Sequence, residues 1–323
     1  MSAQQPTPNL SSHLTALFAN TPDQQKPTSL LTSVLPTLIS SIGSVANALR
    51  TTQGVSQVGT ANAFGDDQLN VDVIAEDILR DAIASCPSIR TASSEEDPVE
   101  KAVQHKHRDG ATPHANAGDE VVGAIIGIWR GESALNSDPS TQQIGAILGV
   151  FGPRTTAVVA LRVPGTGVDV CFEVAVSDGA SEFPVVRPSI KLDDAPFKTR
   201  YFAPANLRAA GEEPRYMALL NHFIENRYTL RYCGGLVPDI VHALVKGHGV
   251  YVSPVTATSK AKLRRLYELA PIALIMECAG GMAVDASDGK NVLERQIGDT
   301  DERAGLICGT KEEVEFVRKS LLE

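Results

Sequence analysis

The stretch Val121-Val122-Gly123-Ala124-Ile125-Ile126-Gly127-Ile128-Trp129 is apolar or glycine at every position and shows no polar–apolar alternation. A short run of that kind predicts a strand covered on both faces. Residues 157–163 and 168–174 read the same way, and residues 250–252 form a shorter run. Helical patterns surround these strands. Leu31, Val34, Leu35, Leu38, Ile42, Val45 and Leu49 recur at three- and four-residue steps, with Pro36 kinking the helix or marking its start. Leu69, Val73, Ile74, Ile78 and Ile83 mark a second helix, and two more are expected over 216–226 and 239–246. A long helix over 260–279 ends at Gly280-Gly281, the glycine stop expected after a helix C-terminus. Interleaved strands and helices define an α/β or α+β class with mixed sheets.

At 323 residues the chain can bury a large core, and its 43% apolar and 21% charged content is that of an ordinary globular protein. A formal net charge of −9 argues against nucleic acid or an anionic membrane as partner. It leaves room for a phosphorylated ligand wherever local cations reverse the field. The five cysteines are scattered without C-x-x-C or zinc-type spacing, as expected of reduced thiols in an intracellular compartment. No uninterrupted apolar run reaches the ~18 residues that would mark a membrane span. Residues 1–25 hold no Lys or Arg, which does not suit a transit peptide, so the cytoplasm is the expected location. Residues 1–28, rich in Ser, Thr, Pro, Gln and Asn, read as a mobile tail. Residues 98–120 are polar, lack periodicity, and read as a surface loop or disordered insert.

Acidic side chains gather at three places: Asp66, Asp67 and Asp72; Glu95, Glu96 and Asp97; and Glu268 on the expected long helix. Carboxylates drawn from separate elements suit a hard cation such as Mg²⁺, which prefers oxygen ligands. Each cluster taken alone is more commonly a solvated helix start or loop. Arg231, Lys260, Lys262, Arg264 and Arg265 form the basic counterpart, either aimed at phosphate or lining a solvated face. Gly165-Thr166-Gly167 lacks a third glycine and a following helix, so it reads as a turn. His105, His107 and His114 have no cysteine or carboxylate at ligand spacing and read as solvated.

The order of motifs carries more than any one of them. Gly65-Asp66-Asp67-Gln68-Leu69 with Asp72, Ser94-Glu95-Glu96-Asp97, residues 231–239 (Arg-Tyr-Cys-Gly-Gly-Leu-Val-Pro-Asp), residues 262–268 (Lys-Leu-Arg-Arg-Leu-Tyr-Glu) and Ala279-Gly280-Gly281 together resemble the fructose-1,6-/sedoheptulose-1,7-bisphosphatase family. Gly152-Pro153-Arg154-Thr155-Thr156 and residues 228–239 lie closer to the sedoheptulose branch. The resemblance implies a layered αβαβα sandwich with mixed sheets, a metal-site half over 29–200 and a sugar-phosphate-binding half over 201–323. It implies Mg²⁺, two or three ions, with Asp66, Glu95, Glu96 and Glu268 as metal ligands. Asp72 and Glu96 would orient and deprotonate water, while Asn206, Tyr232 and Lys262 would hold the sugar and its distal phosphate. Arg231 would reach a neighbouring subunit of a homodimer or homotetramer.

One departure stands out. The family carries Asp-Pro-Leu-Asp-Gly-Ser-Ser on a strand before the 122–127 strand, and residues 98–121 hold no such motif. Asp138-Pro139-Ser140 is an echo on the wrong side of that strand, while Asp119 and Glu120 stand where a substitute could lie. The fold expected is therefore the family sandwich with one central strand missing or remodelled. The expected function is Mg²⁺-dependent removal of the 1-phosphate from a ketose bisphosphate, sedoheptulose 1,7-bisphosphate or fructose 1,6-bisphosphate. The alternative is an inactive member, or a splice or gene-model variant, that binds sugar phosphate or joins an active paralogue.

Overall fold

The structure, a computed structural model, describes residues 7–52, 54, 56–61, 67–105, 114–120 and 123–323. Helix α1 (Leu10–Leu17) starts at Asn9, whose side chain accepts from the Ser12 amide at 2.9 Å. Leu10, Leu14 and Phe18, four apart, are all buried, and Leu10 N donates to Phe183 O at 2.8 Å. The mobile tail expected over 1–28 is thus replaced, from residue 8 onward, by a docked segment. An apolar stripe of three residues, four apart, was hidden there among Ser, Thr and His. Helix α2 (Leu35–Thr51) has Pro36 in its first turn and continues a π-helical turn over Leu30–Val34. By length and composition residues 30–51 could cross a membrane. Here Leu35, Leu38, Ile39, Ile42 and Val45 are buried in the protein core. A small antiparallel pair, β1 (Gln57–Ala61) and β2 (Asp67–Leu69), leads into α3 (Asn70–Ala84).

The larger sheet is built from β3 (Thr91–Ser94), β4 (Lys101–Ala102), β5 (His114–Glu120), β6 (Gly123–Trp129), β7 (Gln143–Val150, after the short α4, Pro139–Gln142), β8 (Thr156–Val163), β9 (Val168–Ala175) and β10 (Val185–Arg187). Its order is β10-β9-β8-β7-β6-β5-β3-β4. Every residue of β6 is buried, because both faces of the sheet are covered. Ile126, Ile128, Ile147, Val159 and Leu161 pack toward the first three helices. Ile125, Trp129, Leu148, Val158 and Ala160 pack the other way. The central strand is remodelled, not missing. Strand β5 pairs parallel with β3 (Ser94 opposite Ala117) and antiparallel with β6 (Ala117 opposite Ile126). The loop expected over 98–120 is corrected at that point. Two neighbours with unpaired backbone edges supply the pairing that the polar sequence does not advertise.

The second half comprises β11 (Tyr201–Pro204), α5 (Pro214–Glu225), β12 (Thr229–Leu230), α6 (Leu236–Lys246), β13 (Val250–Ser253), β14 (Leu263–Arg264), α7 (Ala270–Cys278), β15 (Met282–Asp285), β16 (Arg303–Ala304), β17 (Leu306–Gly309) and α8 (Lys311–Leu322). The five-stranded sheet runs β12-β11-β13-β17-β15, and β14 pairs with β16 alone. The single long helix expected over 260–279 is instead a strand, one π-helical turn over Arg265–Leu269, and α7 with Pro271 in its first turn. Its stop is as read: Gly281 N donates to Met276 O at 2.8 Å, with Gly280 at φ +86°. Helices α6 and α7 lie between the two sheets, while α5 and α8 cover the outer face of the smaller one. The layers are αβαβα. Gly123 is needed for this stacking, since a Cβ there would meet Val237 of α6 at 2.5 Å.

Leu14 is 2% exposed. Leu14→Ala should therefore lower unfolding free energy by about 2–5 kcal/mol in a denaturant titration, whereas a change near zero would return residues 8–18 to the status of a loose tail.

Candidate active site

Helix α3 brings the first acidic group together. Asp72 accepts from the Leu69 amide at 3.0 Å and so caps the helix start. Burial pushes its carboxyl above the ordinary aspartate value, partly offset by that amide. One turn on, Glu76 accepts from the Ser94 hydroxyl at 2.7 Å and pairs with Arg80, which also reaches Asp97 at 3.2 Å. Residues four apart share a helix face. Asp72 therefore lies on the face that is bonded to the turn carrying Glu95 and Glu96. Glu76 and Arg80 were not picked out from the sequence, although their spacing from Asp72 was the signal.

The turn itself is closed by Ser94, which donates its amide to Asp97 O at 3.1 Å and accepts from the Asp97 amide at 3.0 Å through its hydroxyl. From the other half, the buried Arg264 guanidinium pairs with Glu95 and lies 3.5 Å from Asp301, while the Arg264 amide donates to Glu268. Arg264 is thus the group that ties two of the sequence-selected carboxylates to one another. The parallel register of β3 and β5 carries the backbone of Asp119 and Glu120 to the sheet end from which Glu95 and Glu96 leave. Asp66 lies outside the described residues.

Whether these groups fit a metal can be judged from their partners. Glu95, Glu96 and Glu268 are oxygen donors of the kind Mg²⁺ takes. Among the described residues, however, no group of three or more His, Cys, Asp or Glu stands together as a metal site, and Arg264 already neutralises Glu95.

The substrate residues fare differently. Asn206, Tyr232 and Lys262 line one cleft of about 390 Å³, together with Arg208, Tyr251 and Lys260. Asn206 adopts a left-handed conformation at φ +53°. Its amide donates to Pro254 O at 3.0 Å and its carbonyl accepts from Ser259 at 2.9 Å, so it pins the two loops that form the cleft wall. Tyr232 is held by the loop that follows it, where Asp239 accepts from the Cys233 amide at 2.7 Å and the Gly234 amide at 3.1 Å. Burial, then Asp239, raise the Tyr232 hydroxyl above its ordinary value. Arg231 turns away from the cleft, donating to Leu230 O and lying 5.4 Å over the Tyr201 ring. Arg208, two residues after Asn206, and Tyr251, on β13, were not picked out from the sequence.

Lys262, Arg264 and Glu268 are placed by a buried ion pair. Arg265, one residue beyond β14, donates to Asp285, and its amide donates to Glu302 O at 2.7 Å. Asp285 also accepts from the Ser287 amide at 2.8 Å and from Arg295 at 3.2 Å. The segment bearing Lys262 and Glu268 is thereby fixed to the end of β15.

With this geometry in view, family comparisons identify the chain. The profile described as "Fructose-1-6-bisphosphatase, N-terminal domain" matches residues 14–183, and the one described as "Fructose-1-6-bisphosphatase, C-terminal domain" matches residues 195–321. The chain belongs to the fructose-1,6-bisphosphatase family, a family of metal-dependent phosphatases. It is 37% identical over 270 residues to the chloroplastic sedoheptulose-1,7-bisphosphatase of Triticum aestivum, a match covering 79% of this chain and 65% of that enzyme. It is 35% identical to the Chlamydomonas reinhardtii counterpart over 92% of this chain and 74% of that one. A crystal structure from Toxoplasma gondii, described as a sedoheptulose-1,7 bisphosphatase, superposes with a TM-score of 0.81 at 32% identity, covering 97% of this chain and 98% of that one. The match thus spans just under two thirds of the wheat enzyme's own length.

Asp285 is 2% exposed. Asp285→Ala should cost about 3–5 kcal/mol in urea unfolding, because it strands a buried guanidinium. Burial raises the Asp285 carboxyl, but Ser287 and Arg265 outweigh it and hold it below the ordinary value. The stabilisation it gives is therefore full above the usual aspartate pKa of about 3.9 and is lost as pH falls through the lower folded value. The acid limb of the stability curve should flatten in the variant, and an unchanged limb would show that Asp285 does not titrate there.

Proposed function

We propose that the chain is a sugar-bisphosphate phosphatase that removes the 1-phosphate of a ketose bisphosphate, sedoheptulose 1,7-bisphosphate ahead of fructose 1,6-bisphosphate. The observation that carries this reading is the cleft: Asn206, Tyr232 and Lys262, far apart in sequence, meet there in a chain of this family. A phosphate dianion in the cleft would accept from Tyr232 and Lys262, and Asn206 would hold the wall in place. Asp72, on the helix face bonded to the turn of Glu95 and Glu96, is the group assigned to orient and deprotonate the attacking water. Glu96 shares the turn tied to Asp72's helix and is the second proton acceptor. The sedoheptulose preference is supported by the names of the relatives with 35–37% identity. A cytoplasmic homodimer or homotetramer using two or three Mg²⁺ ions completes the reading, the metal dependence of the family supporting the ions. Chemistry of this kind needs charge stabilisation at the leaving phosphate.

A second reading, a family member that binds sugar phosphate without hydrolysing it, is favoured by one observation: the Arg264 guanidinium rests on Glu95. The two separate in one assay. Purified chain is given each bisphosphate with and without Mg²⁺, and phosphate release is followed. Release that depends on Mg²⁺ and falls at least 100-fold in Glu96→Gln is expected for the phosphatase. Absence of release from a cooperatively folded protein that still binds fructose 6-phosphate would establish the binder.

A further inference from the structure

We infer that Arg208 is the side chain that grips the distal phosphate of the substrate and sets the requirement for it; this deepens the proposed function and rests on it. Arg208 sits on the short 3-10 turn Leu207–Gly211, in the wall of the cleft that Tyr232 and Lys262 also line. That turn is clamped at both ends. Asn206 holds Pro254 O and Ser259, while Glu212 accepts from Thr256 at 2.7 Å and from Thr258. The backbone under Arg208 is thus fixed to the opposite wall of the cleft, and the guanidinium is presented without a floppy base.

The guanidinium also has nothing else to hold. Among the described residues Arg208 forms no hydrogen bond or salt bridge, although its field reaches Glu212, whose carboxyl is held low chiefly by Thr258 and Thr256. Lys260 and Lys262, on the facing wall, form none either. Of the other arginines near the smaller sheet, Arg200 is engaged with Tyr228 and Glu313, Arg215 with Leu321 O and Glu323 O, Arg231 with Leu230 and Tyr201, and Arg264 and Arg265 with carboxylates, while Arg227 does not line the cleft. Three uncommitted cations around one cleft, in a chain of net charge −9, concentrate a positive field at that spot. Of the three, only Arg208 offers the planar fork that meets two phosphate oxygens at once, where lysine is a point charge. Within a single chain it is therefore the cleft's phosphate clamp.

Ligand deletion tests this. Full-length wild type, Arg208→Gln and Arg208→Lys are titrated calorimetrically with fructose 6-phosphate, which keeps the distal phosphate, and with fructose 1-phosphate, which lacks it. Arg208 is exposed, so equal thermal midpoints for all three proteins are expected. Fructose 6-phosphate should bind on the order of ten- to a hundredfold more weakly to Arg208→Gln, with partial recovery in Arg208→Lys. Fructose 1-phosphate should bind all three alike. Unchanged fructose 6-phosphate affinity in Arg208→Gln overturns the inference and leaves the proposed function standing. Equal weakening for both ligands overturns it too, since a general distortion would do that. Wild type that binds neither ligand overturns the proposed function and the inference with it. If the enzyme turns over, the same variant should raise KM for the bisphosphate with kcat nearly unchanged.

Discussion

The constraint on which the rest depends is that one layer of helices must satisfy two sheets at once. Helix α7 is buried along nearly its whole length, from Ala270 to Met276, because the larger sheet covers one side and the smaller sheet the other. A helix apolar all round cannot remain at a surface. The two sheets are therefore not free to drift apart, and any loop reaching across the layer is held to the spacing that α6 and α7 impose. Gly123, lying under Val237, marks how close that spacing is.

This shared layer explains where polar chemistry collects. Interior positions are taken by aliphatic side chains, so the charged groups that are buried lie at the sheet ends and are matched there: Glu76 with Arg80 and Ser94, Arg264 with Glu95, Arg265 with Asp285. Burying one member of such a pair alone would be prohibitive. The carboxylate end and the basic cleft are thus both consequences of chain ends leaving a close-packed interior. Arg264 belongs to both, since its side chain meets Glu95 while Lys262 stands two residues before it and Glu268 in the turn after it.

Much of the architecture was legible because both-face burial writes itself into sequence: the apolar run over 123–129 reads as an interior strand and is one. The order of motifs placed Asn206, Tyr232 and Lys262 as one group, and they share a cleft. Illegible were features fixed by partners distant in the chain. Strand β5 reads as loop because His114 to Glu120 have little strand propensity, yet β3 and β6 leave a gap that only a strand fills. Helix α1 was hidden by composition, as three apolar side chains among polar ones hold it down. The break at residue 265 was masked by an apolar run that suits either a continued helix or a π turn. Arg208 has only the nearness of Asn206, two residues earlier, as a local signal. Its significance comes from what Asn206 and Glu212 bond to across some fifty residues.

The strand order has one more consequence. A sheet's outermost strand exposes unpaired amides and carbonyls, which can recruit other chains. In the larger sheet those edges are β10 and β4, of three and two residues, and in the smaller sheet β12 has two. The remaining edge, β15, has four residues and is partly covered by a bridge from Val284 to Asn291. The long apolar strands lie inside, and the rims are too short to template another sheet. Colloidal stability is thereby built into the topology, independently of the charge the surface carries.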